Sequence, residues 1–188
     1  MYVTDDMIRK MEENYGRPRR ASFVVDVSGE EFARIRRSQK NGRNHDVTLY
    51  IKKKDKLVVI AKPFYPPGLY RAPSGGLKPG EGFIEGINRE MMEEAGCEIR
   101  LDRFLLRTSV TFTHGDGAIH WRSFVFTADY TRGDFCFTDH GEIREVRLAD
   151  WEECDSFADI MRRSGIGGLH YRAALHETVR NLMAGAGV

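Results

Sequence analysis

The chain has 188 residues, a formal net charge of +1 from 29 basic and 28 acidic side chains, and 41% hydrophobic against 30% charged residues. That balance suits one globular domain with a real core, and argues against a disordered chain and against a broadly basic surface that holds nucleic acid non-specifically. Cys97, Cys136 and Cys154 cannot all pair and stand at no metal-finger spacing, which argues against a disulfide scaffold or zinc site and for reduced thiols in the cytoplasm.

Thr4 is a good N-cap with Asp5 and Asp6 in the first turn behind it; Met7, Ile8 and Met11 recur at helical spacing until Gly16 ends the run. No basic n-region with an apolar run follows Met1, so no signal peptide is expected, and no stretch reaches the ~18 apolar residues of a membrane span. Ser22 to Val27 reads as a strand, and Ser28-x-x-Glu31 as a capping box opening a helix to about Ser38 with Phe32 and Ile35 on its apolar face. Arginines cluster at 17–20 and 34–37, and the simpler reading of both is a solvated face.

From Asn44 the pattern turns to strands. Val47 to Ile51 and Leu57 to Ala61 read as a hairpin around Lys53-Lys54-Asp55-Lys56. Pro63 to Gly82 is too broken for a long element. A helix follows from about Gly82 to Ala95, ended by Gly96. Further strands are predicted at Glu98 to Arg107, Ile119 to Tyr130 and Ile143 to Leu148, and a last helix at Leu169 to Met183. Strands on both sides of a central helix, without regular βαβ alternation, predict an α+β fold: a mixed sheet packed against helices. Residues 1–40 form a helix-strand-helix extension and residues 41–188 the main domain.

The central helix carries the chemistry. At 100° per residue, Ile84, Ile87, Met91 and Ala95 share one side, taken as the core face, while Glu90, Glu93 and Glu94 share another arc with carboxylates in mutual reach. Such a cluster repels itself, and Arg89 offsets only part of the repulsion. Two readings stand level on the carboxylates alone: a solvated glutamate-rich face, or an all-oxygen site for Mg²⁺, with Mn²⁺ as substitute, sharing its shell with phosphates. Local detail tips the balance to the second: Gly75-Gly76 allows close backbone approach, Pro79-Gly80 aims Glu81, Gly86 clears the face, and Gly96 breaks the helix.

Gly75, Glu81, Arg89, Glu90, Met91, Glu93, Glu94, Gly96 and Cys97 resemble the Nudix box, G-x5-E-x7-R-E-U-x-E-E-x-G-U with U apolar, at every fixed position over 23 residues. The resemblance implies an α/β/α sandwich around a mixed sheet, and Mg²⁺-dependent hydrolysis of a diphosphate linkage in a small nucleotide derivative: ADP-ribose, an ADP-sugar or a nucleoside triphosphate. It implies that Glu90 and Glu94 hold the metal, with Glu93 as third ligand or base, the Gly75 carbonyl completing the shell, Arg89 orienting a glutamate, and Glu81 aligning the helix or binding a second ion. In some relatives extra N-terminal structure forms a homodimer, which residues 1–40 could do here; alternatively their strand pairs with a sheet edge or they simply cover the core.

Outside the box the signals thin. Phe64, Tyr65 and Tyr70 can stack a base, with a core role favoured. Arg71 can pair with a phosphate, His114 with Asp116 and His120 stands in a predicted loop, and Glu142 is a second candidate base. Two alternatives stay open: a non-catalytic nucleotide-sensing module, against which the intact glutamates argue, and a hydrolase of RNA 5′ ends, against which the near-neutral charge argues.

Overall fold

The computed structural model describes residues 2–39 and 42–185. The elements in chain order are α1 (Asp5–Tyr15), β1 (Arg19–Asp26), α2 (Gly29–Ser38), β2 (His45–Lys53), β3 (Lys56–Ala61), β4 (Ser74–Gly75), α3 (Phe83–Ala95), β5 (Cys97–His114), β6 (Gly117–Gly133), β7 (Glu145–Ala149), α4 (Trp151–Arg163) and α5 (Gly167–Ala184). The expected boundary at residues 40 and 41 falls outside the described residues.

The strands form one mixed sheet in the order β1-β5-β6-β2-β3-β7, with the short β4 beside β2. The β1–β5 and β2–β6 pairs are parallel and the others antiparallel. β2 is buried from His45 to Ile51, as a central strand covered on both faces must be. Its side chains alternate: Val47, Leu49 and Ile51 join the cluster under α1 and α3, with Ile8, Met11, Ile87 and Met91, while Tyr50 joins the cluster under α4 and α5, with Phe157, Met161, Tyr171 and Leu175. The result is a three-layered α/β/α sandwich. Among the described residues no helix is long and apolar enough to cross a membrane.

Local chemistry accounts for most ends. Thr4 accepts a hydrogen bond from the Met7 N–H, Ser28 and Glu31 cap α2 reciprocally, and Gly96 closes α3 in the left-handed conformation with φ 58°. A side chain at Gly96 would also stand 2.5 Å from the Cys136 carbonyl carbon, so the 134–142 loop rides directly over the end of α3. The predicted strands around residues 98–130 prove longer. β5 and β6 form a continuous hairpin to a tip at Gly115, absorbing the segment read as a loop beside the site. The helix that sequence periodicity passed over is α4, although Asp150 and Glu153 form a capping box and Cys154, Phe157, Ala158 and Met161 are buried at helical spacing. On α3, Phe83 rather than Ile84 joins the core face; Ile84 is exposed.

The N-terminal strand does pair with a sheet edge. β1 runs parallel to β5 from Arg19↔Leu106 to Asp26↔Thr113. α2 is then pinned by Glu31, whose carboxylate accepts from the N–H of Gly168 at 3.0 Å and of Gly167 at 3.4 Å, the first residues of α5. These N–H groups have no partner within their own helix, so a carboxylate there satisfies orphan donors and opposes the helix dipole. Although burial works against the charged form, these backbone donors, with those at Ser28, hold the Glu31 carboxyl below its ordinary range.

His45, at the start of β2, is fully buried and neither ring nitrogen has a hydrogen-bond partner among the described residues. Burial first, opposed by Asp46 and aided by Arg122 and Arg43, pushes its pKa down to about 4. The folded protein thus holds His45 neutral where the unfolded chain takes up a proton. This contribution is complete above pH 6.5 and falls as pH drops from there toward 4, by up to ~3 kcal/mol. In urea titrations His45→Leu should lose less stability than the wild type between pH 7 and pH 4.5; equal losses would show that His45 does not carry the acid sensitivity.

Candidate functional site

The site begins where two strands separate. β2 and β3 pair at Lys52↔Leu57 and Lys53↔Lys56, next to their turn, and then diverge. The 69–75 segment fills the fork: the Leu49 N–H donates to the Pro73 carbonyl, Ile60 bridges Arg71, and β4 sets Gly75 against Val47. A cavity of about 350 Å³ opens above the fork, with α3 on one side and the 134–142 loop over it. Thr138 and Asp139 tie that loop to the helix by donating to the Glu93 carbonyl, each at 3.0 Å.

Gly75 is bare for a reason that can be measured. A Cβ there would lie 2.0 Å from Oε2 of Glu90, so the carboxylate occupies the place of the missing side chain. Gly76 makes room for Arg43 in the same way. Gly86 does not clear a ligand face, as its sequence position suggested: a Cβ there would strike Leu77 at 2.3 Å and Glu81 at 2.7 Å, so it lets the preceding loop close down on α3.

Arg89 sits among three of the four box glutamates. Its guanidinium donates to Glu81 at 2.7 and 2.9 Å, to Glu90 at 2.8 Å, to Glu93 at 2.9 Å and to the Gly76 carbonyl at 3.1 Å. The sequence reading allowed it only a partial offset of the repulsion; it is the hub on which the loop and both turns of helix converge. Its hydrogen bonds to Glu81 dominate, holding that carboxyl below its ordinary range and raising the guanidinium's own pKa. Glu90 moves the other way, because burial outweighs the nearby arginine.

Glu94 stands apart. It is 3% exposed, and among the described residues its Oε2 has no hydrogen-bond partner and Oε1 has a single paired cation, the Lys62 ammonium, at 3.9 Å. Burial pushes its pKa up to about 7 against the opposing pull of Lys62 and Arg71. Lys62 itself bonds Glu142 at 2.7 Å and holds that carboxyl below its ordinary range. Arginines also line the cavity. Arg71 is buried and fixed by Tyr65 Oη at 2.6 Å, Ser74 Oγ at 2.8 Å and its neighbour's carbonyl, and Arg172 reaches in from α5 to pair with Asp46.

Among the described residues no three His, Cys, Asp or Glu side chains form a ready-made metal cage. The donor set nevertheless fits a hard cation. Glu90 and Glu94, one turn apart, both line the cavity, and the second carries an orphaned buried oxygen. A carboxylate buried with one ammonium only at 3.9 Å favours a second cation beside it when it is ionised.

Of the residues expected at the site from sequence, Gly75, Arg71, Arg89, Glu90, Glu93, Glu94 and Glu142 line this cavity, and Glu81 is tied to it through Arg89. Two are elsewhere. The Tyr70 hydroxyl donates to Glu145 at 2.6 Å, and its ring packs on Phe157 under α4. His114 sits at the hairpin end, bonded to the Val27 carbonyl at 3.0 Å and packed on Phe32. Sequence reasoning missed Asp46, Lys62 and Arg172; Lys62 directly follows a predicted strand, but nothing in the pattern aims it at a helix more than twenty residues away.

Comparison with known proteins agrees with this architecture. A family model described as NUDIX domain matches residues 40–165. Two curated relatives are NAD-capped RNA hydrolases NudC. That from Chromobacterium violaceum is 31% identical over 53% of this chain and 34% of its own length, and that from Stutzerimonas stutzeri 25% identical over 60% and 37%. The chain thus spans about a third of the length of these relatives. A solved NUDIX hydrolase from Nitrosomonas europaea, 18% identical, superposes with a TM-score of 0.53 over 77% of this chain and 90% of its own, a likeness of fold. Box, sandwich and matched span together show that the chain belongs to the NUDIX domain family.

Proposed function

We propose that this protein hydrolyses the diphosphate linkage of a nucleoside diphosphate derivative, with Mg²⁺ held by Glu90 and Glu94. One observation carries the reading: Glu94, with a buried carboxylate oxygen that has no partner among the described residues, lines a cavity that Lys62, Arg71 and Arg172 also line. The carboxylates suit a cation, and the fixed cations among them suit phosphate oxygens. The bound metal would supply charge neutralisation and orientation at the diphosphate.

The chain's own residues do the rest. Arg89 fixes the carboxylates before substrate arrives, so little reorganisation is needed. Arg71, locked by three hydrogen bonds, presents a pre-set guanidinium to the phosphates. Glu93, half-exposed at the rim, and Glu142, ionised beside Lys62, are the two side chains suited to take a proton from water. ADP-ribose, an ADP-sugar, a nucleoside triphosphate and a dinucleotide such as NAD all satisfy this chemistry.

A second reading, action on an RNA 5′ end, is favoured by the two relatives' activity and by a groove of about 620 Å³ that adjoins the cavity and carries Arg34, Arg37, Arg43 and Lys78. RNA binding should then weaken steeply with salt. The deciding experiment is a panel of nucleoside triphosphates, ADP-ribose, ADP-glucose, NADH and 5′-triphosphate RNA, with and without Mg²⁺, comparing wild type with Glu94→Gln. Cleavage of any member that needs both metal and Glu94 supports the reading. Nucleotide binding without cleavage, unchanged in the variant, would replace it with the sensing module.

Gly75→Ala provides a finer test. The new methyl must push the Glu90 carboxylate off its seat, so kcat should fall roughly a hundred-fold with little change in melting temperature. Unchanged kcat would show that the position of Glu90 is not critical.

A further inference from the structure

A second groove, of about 280 Å³, joins the carboxylate cavity and shares Lys62, Arg71 and Arg172 with it. Its other walls are α2, through Arg34 and Ile35, and the start of α5, through Leu169. At its edge stands Phe64, 59% exposed, where most large apolar side chains of the chain are buried. The ring is not loose. It packs edge-on against the buried Tyr65 with centroids 5.0 Å apart, and the Arg34 guanidinium lies over the ring, 5.3 Å from its centroid.

The short segment 62–65 therefore does three things at once. Lys62 points its ammonium at Glu94 and Glu142, Phe64 with Arg34 over its ring lines the groove, and the Tyr65 hydroxyl fixes Arg71 on the wall between the two spaces. Lys62 and Phe64 are at most about 7 Å apart along the backbone. That is the scale of the sugar that separates a base from its first phosphate. An exposed aromatic ring paired with a guanidinium selects a flat, electron-rich ring system, since both planar groups stack on one. The cationic strip next to it selects an anion attached to that ring.

We propose that this groove is the base subsite: the planar base of the nucleoside diphosphate derivative stacks against the Phe64–Arg34 pair, and its phosphates cross Lys62, Arg71 and Arg172 to the carboxylates. This rests on the reading of the carboxylate cavity given above. It makes α2 part of the recognition surface, although Arg34 lies before the span matched by the family model.

The test is equilibrium binding of AMP, ADP and inorganic pyrophosphate to the full chain by calorimetry, in wild type, Phe64→Ala and Phe64→Tyr. Phe64→Ala should weaken AMP and ADP roughly ten-fold and leave pyrophosphate unchanged, and Phe64→Tyr should bind like wild type. Because Phe64 is exposed, the variants should melt with the wild type. ADP binding that ignores Phe64, an equal loss for pyrophosphate, or no ADP binding by the wild type would each overturn the subsite. The two readings fail separately: a protein that cleaves nothing yet loses ADP affinity in Phe64→Ala keeps the subsite and loses the hydrolase. An active protein indifferent to Phe64 does the reverse.

Discussion

Glu94→Gln is expected to lower kcat for diphosphate cleavage about a thousand-fold, equivalent to ~4 kcal/mol of transition-state stabilisation. The same substitution should leave the metal-free protein at least as stable as the wild type. Gln keeps the shape of the side chain but removes a buried charge that, among the described residues, has a lysine only at 3.9 Å and an oxygen with no hydrogen bond. Loss of function with a level or raised melting temperature in a chelating buffer is the signature of a group held at some cost for its chemistry. A variant that unfolds would instead make Glu94 a structural residue, and one that retains activity would remove it from the mechanism.

Arg89→Met should have the largest effect on stability. It leaves Glu81, Glu90 and Glu93 without their common donor, and the first two are largely buried. Removing one partner of such a cluster costs ~3–5 kcal/mol, here toward the lower end because Glu93 is half-exposed. Arg89→Lys should recover little, since one ammonium cannot reproduce bonds made from Nε and both terminal nitrogens. Urea unfolding checks both, and adding Glu81→Gln to Arg89→Met should return part of the loss by relieving the repulsion. A cost under ~1 kcal/mol for Arg89→Met would mean that the guanidinium merely decorates the helix.

The sequence made the box legible because its information is local. Caps, turns and glutamates four residues apart are read within one helix, and α1, α2 and α3 lie within a residue or two of expectation. Gly86 shows the limit of that reading: its bareness was assigned to the wrong neighbour, because the loop that folds onto it comes from outside the helix. The same limit hid Lys62, Asp46 and Arg172, whose roles depend on a fork in the sheet and on α5 returning near the end of the chain. The outer half of β5 was recoverable, since Thr108, Val110 and Phe112 alternate inward in strand fashion. His114 looked like a loop residue only because that alternation was stopped too early.

The way β1 and α2 are built in bears on how such chains can be divided and compared. The recognisable family span opens at residue 40, and a cut there leaves that span whole. It would nonetheless expose the backbone of β5 from Leu106 to Thr113 as a bare edge, an invitation to pairing between molecules. It would also free the first N–H groups of α5 from Glu31 and take away the wall that carries Arg34. In this molecule the unit of inheritance and the unit of folding differ, and a trimmed version would be a poor guide to what the whole chain recognises.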